Sequence, residues 1–493
     1  MLSRKWIGII ILVAALNIYN LLSARNRMDE NIVDENIVKI YVSANEHSYQ
    51  TPWQMVGSDN YEGSGCIIAD RLLLTNAHVV SDQTFITVKR SGQTKKYVAV
   101  VKYVAHECDL ALLEVKDSAF FSDVRPLEIG ELPHMGDEVS VYGYPSGAEQ
   151  LTVAQGIVSR VSHEQYVHSS LNLLCCQIDA PINAGNSGGP VISDSKIVGI
   201  AMMAGWGENE GFMVSVPVIQ HFLKDVEDGA YDGIPSIGVA YQSMENPAMR
   251  SSYGMGDKHQ GVLVRKVYPH SSAQNILRKG DVILEIDGID VANDGTVLFR
   301  GSERTAFSYV VQNKQLGDTL SVRYLRNGET RETTMKLTMP YAANRLVPYY
   351  QYDIEPVYYL YGGIIFSPLT ENIIYEFGND WCDNVPDHLS YAAYYREPTE
   401  DRKEVIVIVD ILPNEVNMGY EDLGWEIVTA ANGISIGSID DLISAIENNR
   451  EQYHVFEIED GKKIILDRLE ADKSKERILE QYKIPKAKSG NLN

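Results

Sequence analysis

Disulfide frameworks, cysteine metal pairs and basic tracts are all missing from this 493-residue chain, and each absence removes a class of function. Five cysteines are an odd number for a bridged scaffold, and a chain this long has ample core without staples. Adjacent Cys175 and Cys176 would strain the peptide between them if bridged, while Cys66, Cys108 and Cys382 sit in apolar stretches and are expected to pack as small hydrophobes. No C-x-x-C pair occurs, and His163 and His168 lack the spacing and partners of a zinc centre, so neither metal nor other cofactor is expected. Positive charge is scarce too: 43 Lys and Arg face 67 Asp and Glu, for a net charge of −24. No run of Lys or Arg exceeds two or three residues, which argues against a phosphate backbone as partner and so against nucleic acid.

What is present is the composition of a folded protein, 44% hydrophobic and 22% charged, in a length that calls for two to four domains. Arg4 and Lys5 precede an apolar run over 6–22, broken only by Asn17 and Asn20. That pattern over 1–28 reads as a secretory signal peptide or a membrane anchor. Both stay open, because Leu22-Ser23-Ala24 matches a cleavage site poorly and Arg25 and Arg27 follow directly. Either one predicts a cell-envelope protein, periplasmic or otherwise extracytoplasmic.

From 37 to 218 the chain shows short strand-like runs at 67–75, 84–89, 110–115, 138–142, 156–161, 173–178, 196–202 and 211–216, separated by turn residues. This spacing predicts an antiparallel barrel or sandwich, closed by a helix over 217–227. A Gly- and Asp-rich boundary at 228–235 leads into a second block, with a short helix expected over 271–278 and a strand over 281–286 turning at Asp287-Gly288. A tyrosine-rich stretch follows from 340 to 402, without a functional reading. The last block repeats the second: E-I-V-T-A-A-N-G at 426–433 lies over D-V-I-L-E-I-D-G at 281–288, and Ser438 is placed to cap a helix carrying Ile439, Leu442, Ile443 and Ile446 on one face. The domain organisation is therefore 1–28, 35–230, 235–340 and 341–480.

Three segments carry chemistry. In Gly185-Asn186-Ser187-Gly188-Gly189-Pro190, a hydroxyl sits among glycines that let the chain turn tightly, and the N–H groups of Gly185 and Ser187 are the candidates for binding an oxyanion. In Leu74-Thr75-Asn76-Ala77-His78, an apolar strand delivers an imidazole at its end, suited to take a proton from serine and return it. Asp109 leads directly into the apolar run Leu110-Ala111-Leu112-Leu113, where a buried carboxylate must be paired; pairing with His78 would set the tautomer and stabilise the imidazolium. Glu107 is the competing carboxylate. Each residue alone also fits a plain structural role, a turn, a strand cap or a helix cap, and it is the order His, Asp, Ser that favours acyl transfer.

T-N-A-H-V at 75–79, D-L-A-L-L at 109–113 and G-N-S-G-G-P at 185–190, with Gly63-Ser64-Gly65 ahead, resemble the HtrA/Deg (DegP-like) serine proteases over about 35 to 470. N-D-G-T-V-x-F-R at 293–300 makes the resemblance one to the plant-type Deg subgroup with a degenerate second PDZ domain. It implies a mainly β chain, with a chymotrypsin-like double β-barrel followed by two PDZ-like α+β domains. It also implies ATP-independent endopeptidase activity on misfolded or signalled proteins, with unfolded or peptide substrates as partners, in trimers or multiples of trimers. A protease-fold chaperone or PDZ scaffold with little cleavage is the alternative.

Pro181, six residues before Ser187, and Met202 and Met203 are expected to line an apolar specificity pocket, favouring cleavage after Val, Ala, Ile or Leu. Gln260, Gly261, Val262 and Leu263 resemble the loop with which a PDZ module holds a peptide carboxylate. In the last block the matching position is Val405, so the glycine is gone and a structural role is expected. Tyr49 and Trp53 are open to either subunit contacts or local packing.

Overall fold

A computed structural model describes residues 32–204, 210–256, 259–378 and 380–492. The expected signal or anchor at 1–28 lies outside them, and among the described residues no helix is long and apolar enough to cross a membrane. The chain divides into two compact units. One holds the described residues up to 44 with 59–168 and 172–231; the other holds 45–58, 169–171 and 232 onward.

The first unit is built on two closed six-stranded antiparallel barrels. The first uses β1 (Ile37–His47), β2 (Met55–Ile68), β3 (Leu72–Thr75), β4 (Gln83–Arg90), β5 (Tyr97–Ala105) and β6 (Leu110–Val115) in the order 1-2-3-6-5-4. The second uses β7 (Glu138–Gly143), β8 (Thr152–Gln165), β9 (Asn172–Ile178), β10 (Pro190–Ser193), β11 (Lys196–Ala204) and β12 (Gly211–Ser215). The run 67–75, one strand by its apolar pattern, is a hairpin: Arg71 takes a positive φ of 61° and Ile67 pairs back onto Leu73. Helix Val216–Asp225 follows β12, with Pro217 in its first turn where a missing N–H costs nothing. Val38, Ile40, Leu73, Ile86, Ala111 and Leu113 fill the first barrel, and Val141, Val158, Ile178, Val191 and Met213 the second.

The second unit contains two sheets of one design. Strands Val239–Gln242, Val262–Val267, Val282–Ile286, Thr319–Arg326 and Glu329–Lys336 lie in that order, and Ile364–Pro368, Ile406–Ile411, Ile427–Ala431, Tyr453–Ile458 and Lys463–Asp467 repeat it. The aligned turns match: Asp287-Gly288 and Asn432-Gly433 both hold two successive positive φ angles, the geometry of a tight hairpin. Ser438 caps helix Ile439–Glu447 through the N–H of Asp441. The helix expected over 271–278 is instead a series of turns, because Asn275 adopts a left-handed φ of 66° and stops propagation.

The tyrosine-rich stretch supplies core to the last sheet. Tyr358, Leu360, Ile373, Ile374 and Leu389 pack with Val407, Val409, Ile427 and Ile478. Tyr49 is buried in that cluster, and Trp53 meets Tyr358 edge to face at 5.8 Å, so local packing accounts for both aromatics. Four thiols are buried, but Cys382 is exposed and not the small hydrophobe its neighbours suggested. Leu113→Ala should remove about 2–5 kcal/mol from the first barrel by leaving a cavity at a fully buried position. Urea unfolding checks this, and a loss below about 1 kcal/mol would contradict the core assignment.

Candidate active site

β3 ends at Thr75, and the chain turns at once through Asn76 and Ala77 to His78. β6 begins at Leu110, with Asp109 immediately before it at a left-handed φ of 54°. Because β3 and β6 are hydrogen-bonded neighbours, with Thr75 opposite Ala111, the two side chains leave the barrel at adjacent strand ends. The Asp109 carboxylate is wholly buried and accepts from His78 twice. Its Oδ1 takes the His78 backbone N–H at 2.9 Å, and its Oδ2 lies 2.8 Å from the imidazole Nδ1. Asn76 Nδ2 donates to the Asp109 carbonyl at 2.8 Å, which fixes the backbone that aims the carboxylate. Glu107, the competing carboxylate, accepts instead from the Tyr231 hydroxyl at 3.1 Å.

These contacts set the charge state. Burial alone would lower the His78 pKa, but the charge and hydrogen bond of Asp109 outweigh it and hold the imidazole above the ordinary histidine value. Burial would likewise raise Asp109. The charge and hydrogen bond of His78, with the charge of His168, overcome that and keep its pKa below the usual carboxylate range. His168 had no assigned part in the sequence reading; its ring stands 6.0 Å from that of His78, and its Nε2 lies 2.8 Å from His106 Nδ1. Nothing in linear spacing flags it, since it comes from the turn after β8. Among the described residues, no group of three or more His, Cys, Asp or Glu side chains is arranged to hold a metal ion.

The segment around Ser187 is folded against the same strand end. The Ser64 N–H donates to the Ser187 carbonyl at 2.9 Å. A Cβ added at Gly188 would lie 2.2 Å from both the Ser64 carbonyl oxygen and Thr75 Oγ1. That close approach brings residues 187 and 188 beside the strand that carries His78. The Ser187 hydroxyl donates to the Met202 carbonyl at 3.3 Å rather than to His78. Gly185 holds a positive φ of 92°, with its carbonyl bound by the Ser64 hydroxyl at 2.7 Å and the preceding Ala184 carbonyl bound by the Ser146 N–H at 2.7 Å. Both carbonyls therefore face protein donors. The N–H groups of Gly185 and Ser187 donate to no acceptor among the described residues.

The other predicted positions divide. Met202 is buried and Met203 half-buried on β11, whereas Pro181 is exposed and its neighbour Ile182 is turned into the second barrel's core. Gln260, Gly261, Val262 and Leu263 do not form an open groove. Leu263 pairs with Gln242 on one side and Val282 on the other, and the Gly261 N–H already donates to Asn293 Oδ1 at 3.2 Å. The edge of that sheet on the side of Val262–Val267 is Val239–Gln242, and Glu329–Lys336 is the opposite edge. In the last sheet the corresponding edge, Ile364–Pro368, is covered by a further strand of this chain, Tyr359–Tyr361.

Two closed barrels, with a histidine, an aspartate and a serine brought to the strand ends of the first, followed by two PDZ sheets, define a chymotrypsin-like serine endopeptidase with appended PDZ modules. A trypsin-like peptidase domain model matches residues 63–200, and PDZ domain models match 235–337 and 347–491. Protease Do-like 2, chloroplastic, of Arabidopsis thaliana is 38% identical over 92% of this chain and 75% of its own length. Protease Do-like 4, mitochondrial, of the same plant is 35% identical over 92% of this chain and 84% of its own. Among solved structures, the HtrA-type protease AlgW with a tripeptide is similar at a TM-score of 0.50 and 25% identity, covering 63% of this chain and 95% of that one. The chain belongs to the Do-like (HtrA) family of serine proteases.

Gly188→Ala should destabilise the first unit by at least about 2 kcal/mol, because it combines a positive φ of 83° with a backbone clash. Differential scanning fluorimetry would detect it, and an unchanged midpoint would contradict the close approach.

Proposed function

We propose that the chain cleaves misfolded or signalled proteins without ATP, through an acyl-enzyme on Ser187. The observation carrying this is the doubly hydrogen-bonded, buried Asp109–His78 pair at the strand end against which the Ser187 loop is folded. In the reaction His78 takes the Ser187 proton as Oγ attacks the carbonyl, then returns it to the leaving amine. Asp109 holds the tautomer and stabilises the imidazolium. The amides of Gly185 and Ser187 receive the oxyanion. The reaction requires the Ser187 side chain to turn from Met202 to the imidazole; such hydrogen bonds often tighten only when substrate is bound.

Met202 and Met203 support an aliphatic preference at the cleavage position. The module limits follow the sequence: protease over 35–230, first PDZ over 235–340, second over 341–480. By its family the enzyme works on unfolded or peptide segments as a trimer or multiple of trimers. The plant relatives carry mitochondrial and chloroplastic names. For this chain, the basic and apolar N-terminal sequence supports an envelope location, with anchoring or cleavage as its two forms.

A fluorophosphonate should label the wild type and not Ser187→Ala: Oγ bonds to phosphorus, fluoride leaves and His78 receives the proton. Casein should be cut by the first protein only. No label on the wild type would favour the chaperone or scaffold reading, to which the Ser187–Met202 hydrogen bond lends its one support.

The pH dependence has a definite sign. A raised His78 pKa keeps the imidazole protonated, and unable to accept, up to a higher pH, so kcat/KM should fall as pH drops through a midpoint above about 6.5. Asp109→Asn should shift that midpoint down and cut kcat on the order of 10⁴-fold. A profile flat from pH 5 to 8 would remove His78 as the base.

Peptide addition in the first PDZ module belongs to the edge Val239–Gln242, where main-chain hydrogen bonds would provide the affinity. A C-terminal peptide titrated into Ser187→Ala protein should lose binding when alternate peptide amides are N-methylated. Equal binding by the methylated peptide would exclude strand addition.

A further inference from the structure

The loop 144–151, between β7 and β8, has no regular secondary structure, yet it forms the wall against which the oxyanion candidates lie. Its Ser146 N–H holds the Ala184 carbonyl at 2.7 Å, and a Cβ at Gly185 would lie 2.4 Å from the Tyr144 carbonyl oxygen and 2.5 Å from the Ser146 nitrogen. The orientation of the Ala184–Gly185 peptide therefore depends on where this loop sits. If the Ala184 carbonyl lost its donor, the peptide could turn over and point an oxygen where an N–H is needed.

The base of the loop is set by buried Tyr144, whose N–H donates to Ser64 Oγ at 2.9 Å. Its far side is held from the other barrel. Lys39 on β1 has a wholly buried side chain, and its ammonium lies 3.0 Å from the Ala148 carbonyl, 3.1 Å from Glu149 Oε1 and 3.0 Å from Glu62 Oε2. Lys89 on β4 donates to the other Glu149 oxygen at 2.5 Å. A lysine side chain with no solvent contact is rare, and one charge buried without its partners is costly, so Lys39 commits the loop tip to a single position. Nothing in the acyl-transfer chemistry itself uses any of these side chains.

We propose that Lys39 and Glu149 are positioning residues for catalysis, an ion pair that clamps the loop 144–151 across the two barrels so that Ser146 keeps the Ala184–Gly185 peptide turned with its N–H toward the oxyanion. The pair acts through the backbone and touches neither substrate nor Ser187. It is a constant clamp, not a pH sensor. Two lysines hold the Glu149 carboxyl at about 2, and the Glu62 and Glu149 carboxylates keep Lys39 charged against the opposing effect of burial, so both charges persist across the pH range where His78 titrates.

This rests on Ser187 being the nucleophile, and the test separates the two claims. Second-order labelling by a fluorophosphonate is measured for wild type, Ser187→Ala, Glu149→Gln and Lys39→Met, with melting midpoints for each. Glu149→Gln changes a largely exposed side chain and should fold as the wild type does. Its labelling rate and its kcat on a chromogenic peptide should fall about tenfold or more, since a lost oxyanion donor costs on the order of 10²–10³-fold and this change loosens one. KM should stay within twofold, and the midpoint of the pH profile should not move. Lys39→Met should reproduce the loss. A folded Glu149→Gln protein with labelling rate and kcat within twofold of wild type overturns the clamp. Absent labelling of the wild type, or labelling of Ser187→Ala, overturns the nucleophile and the clamp with it.

Discussion

A carboxylate sealed from water at the start of β6 governs how the rest of the first unit is arranged. Asp109 cannot remain ionised there unless positive or donating groups surround it, because burying a lone charge is far costlier than one domain's net stability can bear. The solution is local and double: the backbone N–H and the ring of His78 both turn to it, and Asn76 grips its carbonyl. Pairing β3 with β6 makes this possible, since it puts the ends of two sequence-distant strands side by side. The same requirement that keeps the carboxylate ionised raises the imidazole pKa. Stability and reactivity are thus consequences of one contact.

The oxyanion segment obeys a second constraint, that of close backbone approach. Gly185 and Gly188 occur where a side chain would strike the Tyr144 carbonyl or the Ser64 carbonyl, and both hold positive φ. A serine flanked by glycines also reads in the sequence as a plain turn. In the fold the carbonyls of residues 183–187 each have a protein donor, while among the described residues the amides of Gly185 and Ser187 are left over. The loop 144–151 joins that network from behind, and its tie to Lys39 links the segment before Ser187 to a residue of the first barrel.

Much of this was legible from residue order and spacing. Strand alternation and turns located eight of the twelve barrel strands but not β1, β5 or β10, nor most of β2, and the matched D-G and N-G turns exposed the repeated sheet, because these features depend on local backbone preference. The pairing of His78 with Asp109 could be anticipated, since an acid leading into Leu110-Ala111-Leu112-Leu113 needs a partner. What escaped was set by tertiary neighbours. The apolar run at 67–75 conceals a hairpin turn at Arg71. Gly261 looked like a loop glycine for ligand approach, whereas it is there because Ile283 O comes within 2.3 Å of any Cβ. His168, Lys39 and Glu149 carry no motif at all; their partners lie tens of residues away in sequence.

The central claim, that Ser187, His78 and the amides of Gly185 and Ser187 act on one carbonyl, is tested most directly by a crystal structure of the protein inhibited with a peptide boronate. The account predicts boron bonded to Ser187 Oγ, one boronate oxygen within hydrogen-bond distance of both amides, and His78 Nε2 facing the serine oxygen with Nδ1 still on Asp109. A boronate bound elsewhere, or one whose oxygen meets neither amide while the His78–Asp109 pair stays intact, would contradict it.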